Sequence, residues 1–192
     1  MWRTLPDTKA QARRVVRAER RHRRDTPSYA DRAADAAALT DAVLATLGEA
    51  TTVAAYESLP TEPPTETLIA RLTAAGHRVL LPVLLPDNDL DWRAAGSDST
   101  PLGRAAIGEA GLVVVPALAI GRDGMRLGQG GGSYDRALAR RTPGTRLIAL
   151  VYDDELAAGV PTDPHDQAVD AVVTPGHGLV DLPSGGTLRL RD

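Results

Sequence analysis

Residues 113–140 read VVVPALAIGRDGMRLGQGGGSYDRALAR. A valine run closes at Pro116, a long glycine-rich loop follows, and Gly132–Arg141 reads as a helix. Consecutive β-branched residues suit a strand covered on both faces, as in the parallel sheet of an α/β fold. Six glycines lie between Gly121 and Gly132, with Arg122, Arg126 and Arg136 around them. Glycine permits positive φ and close backbone approach to a ligand. Successive N–H groups in such a loop form an anion-binding concavity, to which the helix N-terminus adds its dipole. The alternative is a plain flexible loop, the lesser reading for so many glycines set among arginines between a strand and a helix. No G-K-[ST] ending marks a Walker loop, and G-x-G-x-x-G fails because Ser133 stands at the third glycine.

Outward from this segment the elements alternate. Residues 7–24 form a helix with Asp7 as cap, and Thr26-Pro27 opens a second one through Leu47, closed by Gly48. Strands are expected at 51–56, 78–84, 90–94, 112–116, 146–152 and 169–174, with a helix at 64–75. The fold class is therefore α/β: a single domain with an open, mostly parallel sheet and helices on both faces. Residues 1–174 make the domain, and 175–192 a C-terminal loop and tail. Ligands of such sheets sit beyond the carboxyl ends of the strands, near Tyr56, Leu84, Pro116 and Tyr152.

The chain has 192 residues, no cysteine and a net charge of −3. A disulfide framework and thiolate metal sites are excluded, and a reducing compartment is consistent with this. With no signal peptide and no apolar run long enough to span a bilayer, the expectation is a cytoplasmic monomer without membrane or nucleic-acid partners. Of 22 basic residues, Lys9 is the only lysine. A compact ammonium with rotatable donors suits a flexible phosphate partner, with chance as the equal alternative. Asp135, inside the new helix, could hold Mg²⁺ against a triphosphate, or be an ordinary first-turn acid favoured by the dipole. The four histidines lack metal-ligand spacing, although His165 beside Asp166 could touch a metal shell.

Residues 126–136, RLGQGGGSYDR, resemble the R-x-G-x-G-x-G-Y-Y-D signature of the 5-formyltetrahydrofolate cyclo-ligase family. Three further motifs follow the family's order. They are the K-x-x-x-R of Lys9 and Arg13, the Y-x-S…E-x-x-T of Tyr56, Ser58, Glu62 and Thr65, and PTDPHDQAVD with Pro164, Asp166 and Asp170. The resemblance implies ATP-dependent closure of 5-formyltetrahydrofolate to 5,10-methenyltetrahydrofolate, through a phosphorylated formyl group, with ADP and phosphate released. It assigns Lys9 and Arg13 to ATP, together with Arg126, Leu127, Gly128, Gln129, Gly130, Gly131, Gly132, Ser133 and Tyr134. Glu57, Glu62 and residues Gln129–Ser133 would face the folate, and Arg126 and Tyr134 would be catalytic. Asp135 and Asp166 would hold Mg²⁺. Ser133 and Gln129 depart from the pattern, standing where a tyrosine and commonly a basic residue are found. Two rival readings remain: a phosphate-ester enzyme using the loop without ATP, and an RNA-binding module led by the arginine-rich first helix. The acidic remainder of the chain and the shortage of stacking aromatics weigh against the second.

Overall fold

The computed structural model describes residues 2–26, 31–96 and 100–183. In chain order the elements are α1 (Lys9–Asp25), α2 (Arg32–Leu44), β1 (Thr52–Ala54), α3 (Glu66–Ala74), β2 (Arg78–Leu84) and β3 (Leu90–Ala94). There follow β4 (Leu112–Pro116), β5 (Ala119–Gly121), β6 (Arg126–Leu127), α4 (Ser133–Leu138), β7 (Arg146–Leu150), β8 (Leu156–Ala157), β9 (Ala171–Thr174) and β10 (Gly178–Asp181). The valine run, as β4, is the middle strand of a seven-stranded sheet ordered β10-β9-β7-β4-β1-β2-β3. Its five inner strands are parallel, and an antiparallel strand closes each edge.

Period-two alternation builds the two cores. Leu112 and Val114 join Leu39, Val43, Leu68 and Leu72 from α2 and α3. Val113 and Val115 point the other way, to Leu138 of α4 and to Ile107 of a 3₁₀ turn at Arg104–Glu109. A strand buried on both sides must be apolar at every position, which is why β4 shows no polar alternation.

Helix α1 packs elsewhere. Its Ala12 and Val16 cover a small second sheet, β6-β5-β8, against Leu118, Leu127 and Ala157. A buried ion pair fastens it there. Arg20 Nε and Nη2 donate to Glu155 Oε1 and Oε2 at 2.6 and 2.7 Å, and Nη2 also donates to the Ala117 carbonyl at 2.6 Å. Burial pushes the Glu155 carboxyl up from its ordinary value, with the guanidinium working against it. Burial opposes the charge of Arg20 too, but Glu155 outweighs it and holds the guanidinium firmly protonated.

Several boundaries differ from the sequence expectation. The cap of α1 is Thr8, whose hydroxyl accepts from Gln11 N–H, and not Asp7. Helix α2 ends at Leu44 rather than Leu47, and its expected start at Pro27 lies outside the described residues. The short strands β5, β6 and β8 were not anticipated, because two or three residues cannot display a period. Residues 178–181, expected in a loop, form the edge strand β10 on β9. The hairpin turns through Pro175-Gly176-His177 into Gly178 at φ 64°, the left-handed position that such turns assign to glycine. Residues 184–192 of the expected tail lie outside the described residues. No helix among the described residues is long and apolar enough to cross a membrane.

Candidate active site

Beyond the carboxyl ends of β1, β2 and β4 lies a cleft of about 750 Å³, with Tyr56, Leu84 and Pro116 in its wall. Lys9 and Arg13 reach it from α1, Glu57 and Glu62 from the loop after β1, and Arg126 from β6. Residues 128–135 form its floor, and Asp166 enters from the loop before β9. Of the residues assigned from the sequence to ATP, folate, metal or catalysis, all but Leu127 line this one cleft. The Leu127 side chain is fully buried on the opposite side, under α1, and its carbonyl accepts from Leu118 N–H at 2.8 Å. In a two-residue strand the neighbours Arg126 and Leu127 must face opposite ways. Tyr152 is also absent from the cleft wall. Its ring lies under the Arg23 guanidinium, 4.2 Å from the centroid, and its hydroxyl donates to the Glu62 carbonyl at 3.1 Å.

Glycine is required where the loop turns most sharply. Gly130 has φ 113° and Gly132 φ 67°, and a Cβ on Gly130 would lie 3.3 Å from Arg13 Cζ. Arginines take the loop's carbonyls: Arg13 Nε donates to Gly128 O at 2.8 Å, and Arg136 Nη2 to Gly131 O at 2.8 Å. Gly132, the N-cap of α4, carries no side chain, so the first N–H groups of α4 have no side-chain cap at the cleft.

The charges around the loop are paired. Lys9 Nζ donates to Asp163 Oδ2 at 2.6 Å and Asp166 Oδ2 at 2.5 Å. Burial would lower the Lys9 ammonium, but both carboxylates outweigh it and hold it above its ordinary value. Burial likewise works to raise Asp166, yet the Lys9 hydrogen bond and the Asp163 N–H keep it below the usual carboxylate range. Arg126 is buried and donates through Nη2 to Asp135 Oδ1 at 2.7 Å. Gln167 N–H donates to the same oxygen at 3.3 Å, which ties the Asp166 loop to the start of α4. The hydroxyls of Tyr56 and Tyr134 are buried without a partner among the described residues. Burial and the charge of Glu62 raise both phenols, which are therefore neutral.

Among the described residues no three His, Cys, Asp or Glu side chains cluster as a metal cage. Mg²⁺ does not demand one, because it commonly takes one or two carboxylates and completes its shell with phosphate oxygens and water. The described hydrogen bonds fall on Asp135 Oδ1 and Asp166 Oδ2, so the other oxygen of each acid remains for such an ion. The donor set fits.

Some cleft residues were not found from the sequence. Asp163 and Gln167 sit beside Asp166 in PTDPHDQAVD. A second acid three residues before Asp166, across a proline, was the available signal for Asp163. His165, which the sequence set beside Asp166 as a possible contact of a metal shell, lines the wall as well. Asn88, the only non-glycine residue with positive φ among the described residues (61°), offers its carbonyl to Arg136 at 2.6 Å. Its place in PDND is a turn signature.

Comparison with known proteins places the sequence in a family. The sequence profile of the 5-formyltetrahydrofolate cyclo-ligase family covers residues 8–175. A 5-formyltetrahydrofolate cyclo-ligase of Mycolicibacterium smegmatis is 40% identical over 149 residues, 68% of this chain and 77% of that protein. The enzyme of the same name from Escherichia coli strain K12 is 33% identical over 141 residues, 65% and 78% of the two chains. Among solved structures, a 5,10-methenyltetrahydrofolate synthetase from Mycoplasma pneumoniae superposes with a TM-score of 0.68 at 20% identity. That likeness covers 83% of this chain and 96% of the other, and at such identity it speaks for the fold alone. Glycine loop, basic helix and profile agree: the chain belongs to the 5-formyltetrahydrofolate cyclo-ligase family.

Proposed function

We propose that the cleft closes 5-formyltetrahydrofolate to 5,10-methenyltetrahydrofolate at the expense of ATP. The observation that carries the reading is a convergence. The chain's only lysine, Arg13 and Arg126 meet the glycine loop and two adjoining acids in one cleft, where Gln129 of the loop donates to the carboxylate of Glu62.

In the net change nitrogen 10 of the folate attacks the formyl carbon, forming the new C–N bond and losing its proton. The C–O bond of the former formyl group breaks. An amide-like formyl oxygen leaves poorly, and ATP, when bound, supplies the γ-phosphoryl group that lets it depart as phosphate. The protein's part is positioning and charge neutralisation. Lys9, Arg13 and Arg126 place fixed positive charge along the loop, and residues 128–134 offer backbone N–H groups to phosphate oxygens. Asp135 and Asp166 would hold Mg²⁺, screening the phosphates they would otherwise repel. Arg126 and Tyr134 are assigned to the reacting centre. The guanidinium lies 5.9 Å from the tyrosine ring centroid, and the neutral phenol can donate a hydrogen bond but not act as an anion. Glu62 is held by Leu59 N–H at 2.9 Å and is suited to accept N–H groups of the pterin. Glu57, on the exposed rim and paired with Arg93 at 2.6 Å, makes a looser contact with the same ligand.

The test is the near-ultraviolet absorbance of the methenyl product when protein, 5-formyltetrahydrofolate and MgATP are mixed. A rise that requires ATP and Mg²⁺ and is lost in Lys9→Ala and Asp135→Ala supports the reading. ATP binding without product would sink the folate assignment, and no ATP binding would sink the nucleotide site as well.

A further inference from the structure

Helix α1 meets the glycine loop through a third cation that the mechanism leaves unused. Arg17 follows Lys9 and Arg13 at intervals of four, so all three share one face of the helix. Its guanidinium holds both oxygens of Gln129. Nη2 donates to the backbone carbonyl at 2.6 Å and to Oε1 at 2.9 Å, and Nε donates to Oε1 at 3.1 Å. From the other end of that side chain, Gln129 Nε2 donates to Glu62 Oε1 at 3.3 Å. Arg17 itself is not in the wall of the cleft.

The chemistry of the three groups orders them. A guanidinium only donates, an ionised carboxylate only accepts, and a primary amide does each at a different end. Gln129 therefore bridges in one orientation: turned round, its NH₂ would face Arg17 and its oxygen would face Glu62. A cation at 129 would confront Arg17, and an anion would confront Glu62. Arg17 and Gln129 work as a matched pair, with the positive charge on the helix and the neutral adaptor on the loop.

We propose that Arg17 is a positioning residue for the folate side of the cleft. Through the Gln129 amide it fixes Oε1 of Glu62, while Leu59 N–H fixes Oε2, so the carboxylate meets the substrate already oriented. The inference rests on the cyclo-ligase reading. Arg17 touches none of the reacting atoms, so its effect falls on substrate binding and leaves the chemical step alone.

Two measurements test it: equilibrium dialysis of 5-formyltetrahydrofolate against the full chain without ATP, and steady-state kinetics with MgATP. Arg17→Ala weakens folate binding and raises the folate KM about tenfold, while kcat stays within about twofold. Arg17→Lys, which keeps a charged donor but loses the fork, recovers part of the loss. The exchange Arg17→Gln with Gln129→Arg binds folate better than either single variant, because the guanidinium at 129 then donates to Glu62 and the neutral amide at 17 no longer repels it. Unchanged folate affinity in Arg17→Ala, or a fall in kcat at constant KM, would overturn the proposal. So would a large loss of thermal stability, since that marks a merely structural residue. If the wild-type chain neither binds nor converts the folate, the cyclo-ligase reading fails first. The relay is then judged on its own by hydrogen exchange at the Leu59 amide, whose acceptor is Glu62. Faster exchange in Arg17→Ala upholds the relay, and unchanged exchange refutes it.

Discussion

Replacing Arg20 with methionine removes the charge that fastens α1 while keeping most of the side-chain volume. Arg20 and Glu155 are each 2% exposed, and the carboxylate would be left with the Tyr152 N–H at 2.9 Å as its remaining described donor. Breaking a buried pair from one side typically costs about 3–5 kcal/mol. Protonation sets a limit on that cost. With the opposing charge gone, burial pushes the Glu155 carboxyl further above its ordinary 4.5. At pH 7, carrying the proton costs roughly 2.5 pH units at ~1.4 kcal/mol each, or ~3.5 kcal/mol, and at pH 5 less than ~1 kcal/mol. Because the folded-state value lies above the unfolded one, the variant takes up a proton on folding. Its stability relative to the parent therefore rises as pH falls from 7 towards 4.5. Urea unfolding followed by circular dichroism should show a deficit of about 3–3.5 kcal/mol at pH 7 that shrinks severalfold at pH 5. Adding Glu155→Leu should recover most of it, since an apolar replacement of the whole pair leaves no orphan charge. A deficit below ~1 kcal/mol at pH 7, or one that does not change with pH, would refute the reasoning.

Three further outcomes are expected. Leu127→Ala should cost about 2–5 kcal/mol of stability by opening a cavity under α1, yet leave ATP affinity within about twofold, as titration calorimetry would reveal. Asp89, hydrogen-bonded to Arg140 and also paired with Arg104, has its carboxyl lowered to about 2 from 3.8. A lowered folded-state value means the contribution is present above pH ~4 and lost as pH falls towards 2. The stability gap between parent and Asp89→Asn should therefore be seen at pH 6 and vanish in acid, and a gap that persists near pH 2 would count against it. Gly130→Ala adds a Cβ at φ 113° and 3.3 Å from Arg13 Cζ. It should weaken ATP binding about tenfold with little change in the urea midpoint, because the distortion is confined to the loop.

Much of this molecule can be read without coordinates, for local reasons. Val113–Val115 declare a doubly covered strand because no polar residue fits either face, and the glycines of 128–132 declare a turn that side chains would obstruct. Lys9, Glu62, Asp135 and Asp166 become candidate site residues chiefly through their motifs, since each alone could be an ordinary surface charge. What stayed hidden depends on partners distant in sequence. Arg20 looks like one more arginine of a basic helix until Glu155, 135 residues on, is folded against it. Leu127 sits inside the loop signature, but two-fold strand alternation turns it away from the cleft once β6 pairs with β5. Arg17 and Asp163 gain their contacts only when α1 is laid across the end of the sheet, an arrangement decided by the small sheet that short strands left invisible. Sequence alone determined the α/β class, the glycine-rich loop between strand and helix, and the family, because propensity, glycine geometry and motif order act within short spans. Tertiary structure decided which charges pair and which loop residues face the cleft, because those energies depend on burial and on distances that only packing sets.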